Sequence, residues 1–377
     1  MRRVLEYIIV CVMVIISSSC NIDEEITSSL PPKISIEGNG SYRVRLGEEL
    51  RIAPRYENCD EATYSWSIEG KEVCNEQRYT FTPNSVGITK ITLAVTTSSG
   101  SDSRLFTITT VDNFKVYDYT PAPGQFIGEL KTGGFNGTEV THEAAITYAE
   151  SRLLEDKFVS LGAFGGYIVV GFDRVVKNTE SYDFSIGSNA FDGSSEPGVV
   201  WVMQDENGNG APDDTWYELS GSETGKAETI QNYAVTYYRP EASKMDVLWS
   251  DNMGGSGVVE YLESFHNQES YYPQWVEADS YTLTGTRLQS RSYDSSGNGS
   301  KWVNPAFDWG YADNVSAVDG AERENLFDIS NAIDKQGNAV ELSHIDFIKV
   351  QSAIQQQCGW VGEVSTEVTS FKLIDGE

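Results

Sequence analysis

Apolar residues recur at every second position from Lys33 onward, in runs too short for helices: Ile34-Ser35-Ile36, Tyr42-Arg43-Val44-Arg45-Leu46, Leu50-Arg51-Ile52, Tyr64-Ser65-Trp66-Ser67-Ile68, Tyr79-Thr80-Phe81, Ile91-Thr92-Leu93-Ala94-Val95 and Phe106-Thr107-Ile108. A period of two sends alternate side chains to opposite faces of a strand, so each run predicts a strand with one face in a core. Gly, Asn and Ser between the runs supply the turns. Residues 33–112 therefore read as a small β-sandwich of immunoglobulin type. Past Asp112–Pro123, where Tyr119-Thr120-Pro121-Ala122-Pro123-Gly124 looks like a linker, the runs become mostly apolar: Tyr167–Phe172, Gly198–Met203, Ala234–Tyr238 and Ile345–Val350. Such runs suit strands buried in a two-sheet sandwich. With no second break in composition, residues 113–377 read as one larger, jelly-roll-like domain with long loops. One helix is expected over His142–Leu154, with Thr141 as its cap and Glu143 at the positive end of its dipole. No internal repeat, heptad or low-complexity tract occurs. The fold class is all-β with a single short helix.

Within the first sandwich, Tyr64-Ser65-Trp66, the turn Tyr79-Thr80-Phe81-Thr82-Pro83-Asn84-Ser85-Val86-Gly87 and the strand Leu93-Ala94-Val95-Thr96 resemble a PKD-like domain. The resemblance implies a spacer that lifts a working domain away from a surface.

The N-terminus adds an address. Arg2 and Arg3 precede the apolar run Tyr7–Ile16, then Ser17-Ser18-Ser19 and Cys20. A charged start, a short apolar run and small residues make a secretory leader over residues 1–19. The apolar run is far below the ~20 residues that a spanning helix needs. Ser17-Ser18-Ser19-Cys20 resembles a bacterial lipobox, which implies lipidation of Cys20. The following Asn21-Ile22-Asp23-Glu24-Glu25 opens an acidic tether over residues 20–32 and resembles the export signal of Bacteroidota surface lipoproteins. A lipid-anchored protein on the outer face of the outer membrane is the implied location.

Charge narrows the partners. The formal net charge is −29, whereas nucleic acid and anionic lipid surfaces both require positive charge. The balance suits a solvated extracellular protein able to bind cations. Of five cysteines, Cys11 leaves with the leader and Cys20 carries the lipid. Cys59 and Cys74 share one small exported domain. They read either as a disulfide, which would add about 3 kcal/mol by closing the loop, or as two thiols. Cys358 has no evident partner and reads as buried and inert.

Three constellations could carry chemistry. The first is Asp205-Glu206-Asn207-Gly208-Asn209-Gly210-Ala211-Pro212-Asp213-Asp214. Asp205, Asn207, Asn209 and Asp213 stand at positions 1, 3, 5 and 9 of a calcium loop, with Gly210 at the tight bend. Position 12 is Trp216, so Asp214 or Glu218 would have to replace the usual Glu. A structural Ca²⁺ that pins the loop near a binding face is the expectation, against a metal-free Asn-Gly turn. The second is a set of loop aromatics beside Asn, Asp and Gln, within Tyr261–Trp275 and Tyr293–Tyr311. Rings supply apolar faces and amides supply hydrogen bonds, as a flat or sugar-like ligand requires. Tyr271, Tyr272, Trp275, Trp302 and Trp309 are the expected exposed ligand-binding residues, and the remaining rings are expected to pack. The third is the carboxylate-rich C-terminal part, with Phe327–Asp334 and Gly362–Val368. No spacing there singles out a catalytic pair. His142, His266 and His344 lack zinc spacing, and neither a nucleophile elbow nor a phosphate loop occurs.

Phe126-Ile127-Gly128-Glu129, Glu196-Pro197-Gly198-Val199-Val200-Trp201, Asp214-Thr215-Trp216-Tyr217-Glu218-Leu219, Phe307-Asp308-Trp309-Gly310-Tyr311 and Gly362-Glu363-Val364-Ser365-Thr366-Glu367-Val368 together resemble a family of Bacteroidota cell-surface proteins. In that family a PKD-like module precedes a β-sandwich. Its members are similar to accessory lipoproteins beside TonB-dependent transporters, some capturing corrinoids and others glycans. The resemblance implies a non-catalytic capture protein, with a corrinoid (vitamin B12) as the first ligand to consider and a glycan next. A glycoside hydrolase or lyase would need two close carboxylates in an aromatic cleft. An adhesin or scaffold would show packed aromatics and no concave site.

Overall fold

A computed structural model describes residues 30–36, 38–321 and 323–374. Cys20, the leader and most of the acidic tether lie outside the described residues. No helix among the described residues is long and apolar enough to cross a membrane.

The alternating runs form strands as their period predicts. A five-stranded sheet has the order Ser41–Arg45, Gly100–Val111, Gly87–Thr97, Thr63–Ile68, Lys71–Cys74, with Ser41–Arg45 parallel to its neighbour. Two short pairs complete the sandwich, Lys33–Ser35 with Arg55–Glu57 and Leu50–Ile52 with Tyr79–Phe81. Ile91, Leu93 and Val95 are fully buried, while Thr92 and Ala94 between them are not. Trp66 centres this core between Tyr79 and Phe106, at ring separations of 5.6 and 5.5 Å. Its Nε1 donates to Glu76 O at 2.8 Å, which satisfies the one polar atom of a buried ring.

Of the two readings left open for Cys59 and Cys74, the structure has two free thiols and no disulfide between them. Each has a local acceptor instead: Cys59 Sγ donates to Glu57 O and Cys74 Sγ to Arg78 O. Their carbon stems pack at the margin of the sandwich core. Cys358 is buried, as expected, and burial pushes its thiol up to about 11.

The chain passes from Gly100–Val111 into Phe114–Thr120 across two residues, and the latter is an edge of a six-stranded antiparallel sheet. From that edge the order is Tyr167–Lys177, His344–Ser352, Gly198–Met203, Trp216–Leu219 and Ala332–Ile333. One face of this sheet buries Ile168, Val170, Val200, Val202, Ile348 and Val350 against the helix His142–Leu154 and a four-stranded sheet containing Phe184–Gly187. The helix starts as the sequence predicts, with Thr141 Oγ1 accepting from Ala144 N at 3.2 Å. Arg45 of the first sandwich reaches Glu150 on this helix at 2.7 Å, and Arg43 Nε donates to Leu154 O at 2.8 Å.

The opposite face is partly covered by a further four-stranded sheet, Ser256–Val259, Val247–Asp251, Ile230–Tyr238 and Ser280–Arg287. Gly285 permits the close approach of its edge strand. A Cβ there would stand 2.1 Å from Gln351 Oε1, so no other residue fits without displacing that side chain.

Candidate functional site

The aromatics expected to be exposed are mostly core. Tyr271 is fully buried, Tyr272 is 2% exposed and Trp275 is 6% exposed. Trp275 lies between Phe135 and Tyr119, with centroids 5.8 and 6.0 Å away. Tyr272 Oη donates to Ala278 O at 2.8 Å under the Arg239 guanidinium, and Tyr271 Oη accepts from Leu262 N. These rings wedge the 261–279 loop onto the sheets, and a polar tip with a local partner is what lets a loop tyrosine be buried. Trp302 and Trp309 are half-buried but do not meet. The 302 ring faces Gly359, whereas residue 309 binds Ser222 through its backbone. The five residues therefore do not form one site.

The outer face of the six-stranded sheet carries what those loops do not. Trp201 stands opposite Lys349 on one neighbouring strand and opposite Glu218 on the other, while Met203 stands opposite Trp216. Period-two geometry turns these residues away from the main core that Val200 and Val202 fill. The Lys349 ammonium lies 4.8 Å from the Trp201 ring centroid and 4.7 Å from that of Trp216, a cation between two π faces. Thr286, from the edge strand of the covering sheet, donates to Glu218 Oε2 at 2.5 Å. Gln351 Nε2 donates to Gly165 O and Thr284 O. These side chains line a cleft of about 110 Å³ between the two sheets.

Two features mark the cleft as unfinished. Trp201 Nε1 and Gln351 Oε1 are buried with no hydrogen-bond partner, one a donor and one an acceptor. Buried polar atoms left bare cost about 1–3 kcal/mol each, a debt that a ligand hydroxyl can cancel. The ionisable groups are also displaced toward neutrality. Burial pushes Glu218 up to about 7, with the Thr286 hydrogen bond and the Lys349 charge pulling back. Burial pulls Lys349 down to about 8 against the charges of Asp118 and Glu218. Perturbed groups converging in a cleft make it a candidate functional site. A larger groove of about 350 Å³ lies beside Tyr272. One of its two carboxylates, Glu129, is taken by the amides of Lys131, Thr132 and Gly133, while Glu269 also lines it and Gln268 Oε1 there is buried without a partner.

The expected calcium loop joins two strands of the cleft, since Asp205–Asp214 connects Gly198–Met203 to Trp216–Leu219. Gly210 holds φ +72° at the bend. Asp205 accepts from the amides of Gly208, Asn209 and Gly210. Asn207 Nδ2 donates to Asp213 and Asp214, and Asn209 Nδ2 to Asp213. The Asn209 and Asn207 amides hold the Asp213 carboxyl below its usual range. Glu218 is not a member of this loop, because its carboxylate faces Thr286 across the cleft. Sequence reasoning missed Trp201, Lys349, Thr286 and Gln351. A lysine inside the apolar run Ile345–Val350 was the available signal.

A third group is assembled from distant segments. One oxygen each from Glu196, Asp313 and Glu367 lie within 4.8 Å of one another.

Residues 31–97 match the PKD-like domain family. The N-terminal sandwich is PKD-like. No curated protein matches the chain. Among solved structures, a quinonprotein alcohol dehydrogenase-like protein from Bacteroides thetaiotaomicron is 23% identical over 24% of this chain, with a TM-score of 0.20, and the chain spans only 23% of that protein. Carbohydrate-binding modules of the β-sandwich superfamily align over 92% of this chain and 99% of theirs, at 11% identity and a TM-score of 0.21. A SusE-like surface-located polysaccharide-binding protein from the Bacteroides thetaiotaomicron heparin utilisation locus aligns over 92% of this chain and 61% of its own, at 9% identity and a TM-score of 0.17. Superpositions of this quality establish no shared fold with any of the three.

Proposed function

We propose that this protein is a non-catalytic surface lipoprotein that captures a glycan in the Trp201–Trp216 cleft. The observation that carries the reading is the bare donor of Trp201 and the bare acceptor of Gln351 in one aromatic-walled cleft. A sugar hydroxyl both donates and accepts, and a sugar ring presents apolar faces, so one ligand class answers the two bare atoms and the ring faces together. The cleft's size favours this over a corrinoid. About 110 Å³ lies well below the roughly 300–1,000 Å³ that encloses a drug-sized ligand, so it admits one sugar unit or a chain end. Attachment through Cys20 and hand-over to a TonB-dependent transporter belong to the same proposal and rest on the leader and the family resemblance. Ca²⁺ held by Asp205, Asn207, Asn209, Asp213 and Asp214 would steady the hairpin that presents both tryptophans.

The test is a glycan array with the lipid-free mature protein, followed by titration calorimetry on the best ligand and, in parallel, on cyanocobalamin. Trp201→Ala and Trp216→Ala are expected to weaken glycan binding about tenfold or more, roughly 1.4 kcal/mol, while Tyr293→Ala leaves it unchanged. Glycan binding that ignores both tryptophan changes would place the ligand elsewhere. Binding of cyanocobalamin alone would restore the corrinoid reading. Release of reducing ends would make the protein a glycoside hydrolase instead.

A further inference from the structure

We infer that Glu196, Asp313 and Glu367 form a second, buried site for a hard divalent cation, calcium, at the end of strand Gly198–Met203 away from the Asp205–Asp214 loop. Asp313 and Glu367 are 1% and 2% exposed, and Glu196 is half-buried as a residue with its carboxyl enclosed. Each residue offers an oxygen within 4.8 Å of the others, a spacing that suits ligands around one ion with metal–oxygen distances of about 2.3–2.6 Å.

Proximity of carboxylates alone would require only protons. The decisive atom is Asp313 Oδ1, which is buried and has no hydrogen-bond partner. The other oxygen of that carboxylate accepts the Glu367 amide at 2.8 Å. The Ser188 hydroxyl and the Ala190 amide act on this carboxyl as hydrogen-bond donors that pull it down, yet neither closes a bond to Oδ1 within ordinary distance and angle limits. The backbone also holds Asp313 at φ +55°, a conformation that costs a non-glycine residue energy and persists where the surroundings impose it. A second bare oxygen, Glu363 Oε2, is likewise buried close by, and its charge acts on Glu196. Glu367 is supported by Ser365 Oγ at 2.8 Å, itself 2.7 Å from Ser160 Oγ. Asn304 Nδ2 donates weakly to Glu196. Three full carboxylates with this support are hard oxygen ligands, which select Ca²⁺ over softer metals.

The ion would tie together the lead-in to Gly198–Met203, the 304–319 loop and the short strand Glu367–Val368 that pairs with Val159–Ser160. This does not depend on glycan capture, nor on calcium in the Asp205–Asp214 loop.

Equilibrium dialysis of chelator-stripped mature protein against Ca²⁺, with thermal melts in Ca²⁺ and in EDTA, tests it. Asp313→Asn is the chosen variant because Asn tolerates positive φ and can still accept the Glu367 amide. It should bind one ion fewer than the parent chain and lose most of the melting-point rise that calcium gives. A variant carrying Asp205→Asn and Asp213→Asn should keep the Asp313-dependent ion. If Asp313→Asn fails to fold, Glu196→Gln, at the half-exposed member, reads the same loss. Equal stoichiometry in the parent chain and in the folded variant would overturn the site and leave a proton-sharing cluster.

Discussion

Tyr271-Tyr272-Pro273-Gln274-Trp275 and the pair Trp201 and Trp216 are built from the same residue types and end in opposite situations. The first segment sits in a loop, where an exposed ring would be expected, yet it is buried and its polar tips are satisfied by nearby backbone. The second pair sits in strands, where burial would be expected, yet both rings are half-exposed and Trp201 Nε1 has no partner. The difference lies in what each ring faces. Loop rings here close gaps between sheets, while the strand rings occupy the outer face of a sheet whose inner face already supplies the core. Between these two groups hydrogen-bond completeness differs more than exposure does, and Trp302 Nε1, outside both, is bare as well.

The largest expected effect breaks the packing half of that comparison. Trp275→Ala removes a ring held between Phe135 and Tyr119 in the main core. Large-to-small changes of this kind cost about 3–5 kcal/mol. Chemical denaturation should show that loss, with glycan affinity of the remaining folded protein unchanged. A change in affinity without a change in stability would make Trp275 a ligand contact and erase the distinction.

Much of this was legible beforehand, for local reasons. Strand positions followed from period two at Ile91, Leu93 and Val95, and the helix from Thr141 and the run behind it. The wedge role of Tyr271 and Tyr272 was not, because loops have no period to say which ring turns inward. The cleft was hidden differently. Trp201, Glu218, Thr286 and Lys349 come from four strands and meet only through register. The trio Glu196, Asp313 and Glu367 is equally non-local, and in so acidic a chain no single carboxylate stands out.

The next effect sharpens the recognition half. Burial raises Glu218 to about 7 from a reference of 4.5. Its protonated form is therefore favoured by folding. That contribution is complete below the unfolded value and is lost as pH rises through about 7, by roughly 3 kcal/mol at most. The raised carboxylates Glu363 and Glu367 act with the same sign, while Lys349, lowered to about 8, acts against it as pH falls. Melting points should therefore drop as pH rises from about 4.5 to about 8, with Lys349 contributing only above about pH 8. Glu218→Gln, which keeps an acceptor for Thr286, should flatten part of that slope. An unchanged slope would mean that Glu218 is hydrated in the free protein and that the cleft is more open than its geometry indicates.

The smallest effect concerns the loop that links the two tryptophans. Asp205–Asp214 lies outside the cleft, so ion loss can reach the ligand only through the pitch of the hairpin and the placement of Trp216. The loop's own hydrogen bonds already hold Asp205 against three amides and Asp213 against two asparagines. A loop that supports itself this far needs an ion mainly to fix its last degrees of freedom. EDTA is therefore expected to weaken glycan binding only a few-fold, under about 1 kcal/mol, and Asp213→Asn should reproduce that change. To keep the buried cluster from contributing, the same titration is run in the Asp313→Asn background. A few-fold EDTA effect surviving there assigns it to the 205–214 loop. Its disappearance would show that the buried end of Gly198–Met203, rather than the exposed loop, sets the posture of Trp201.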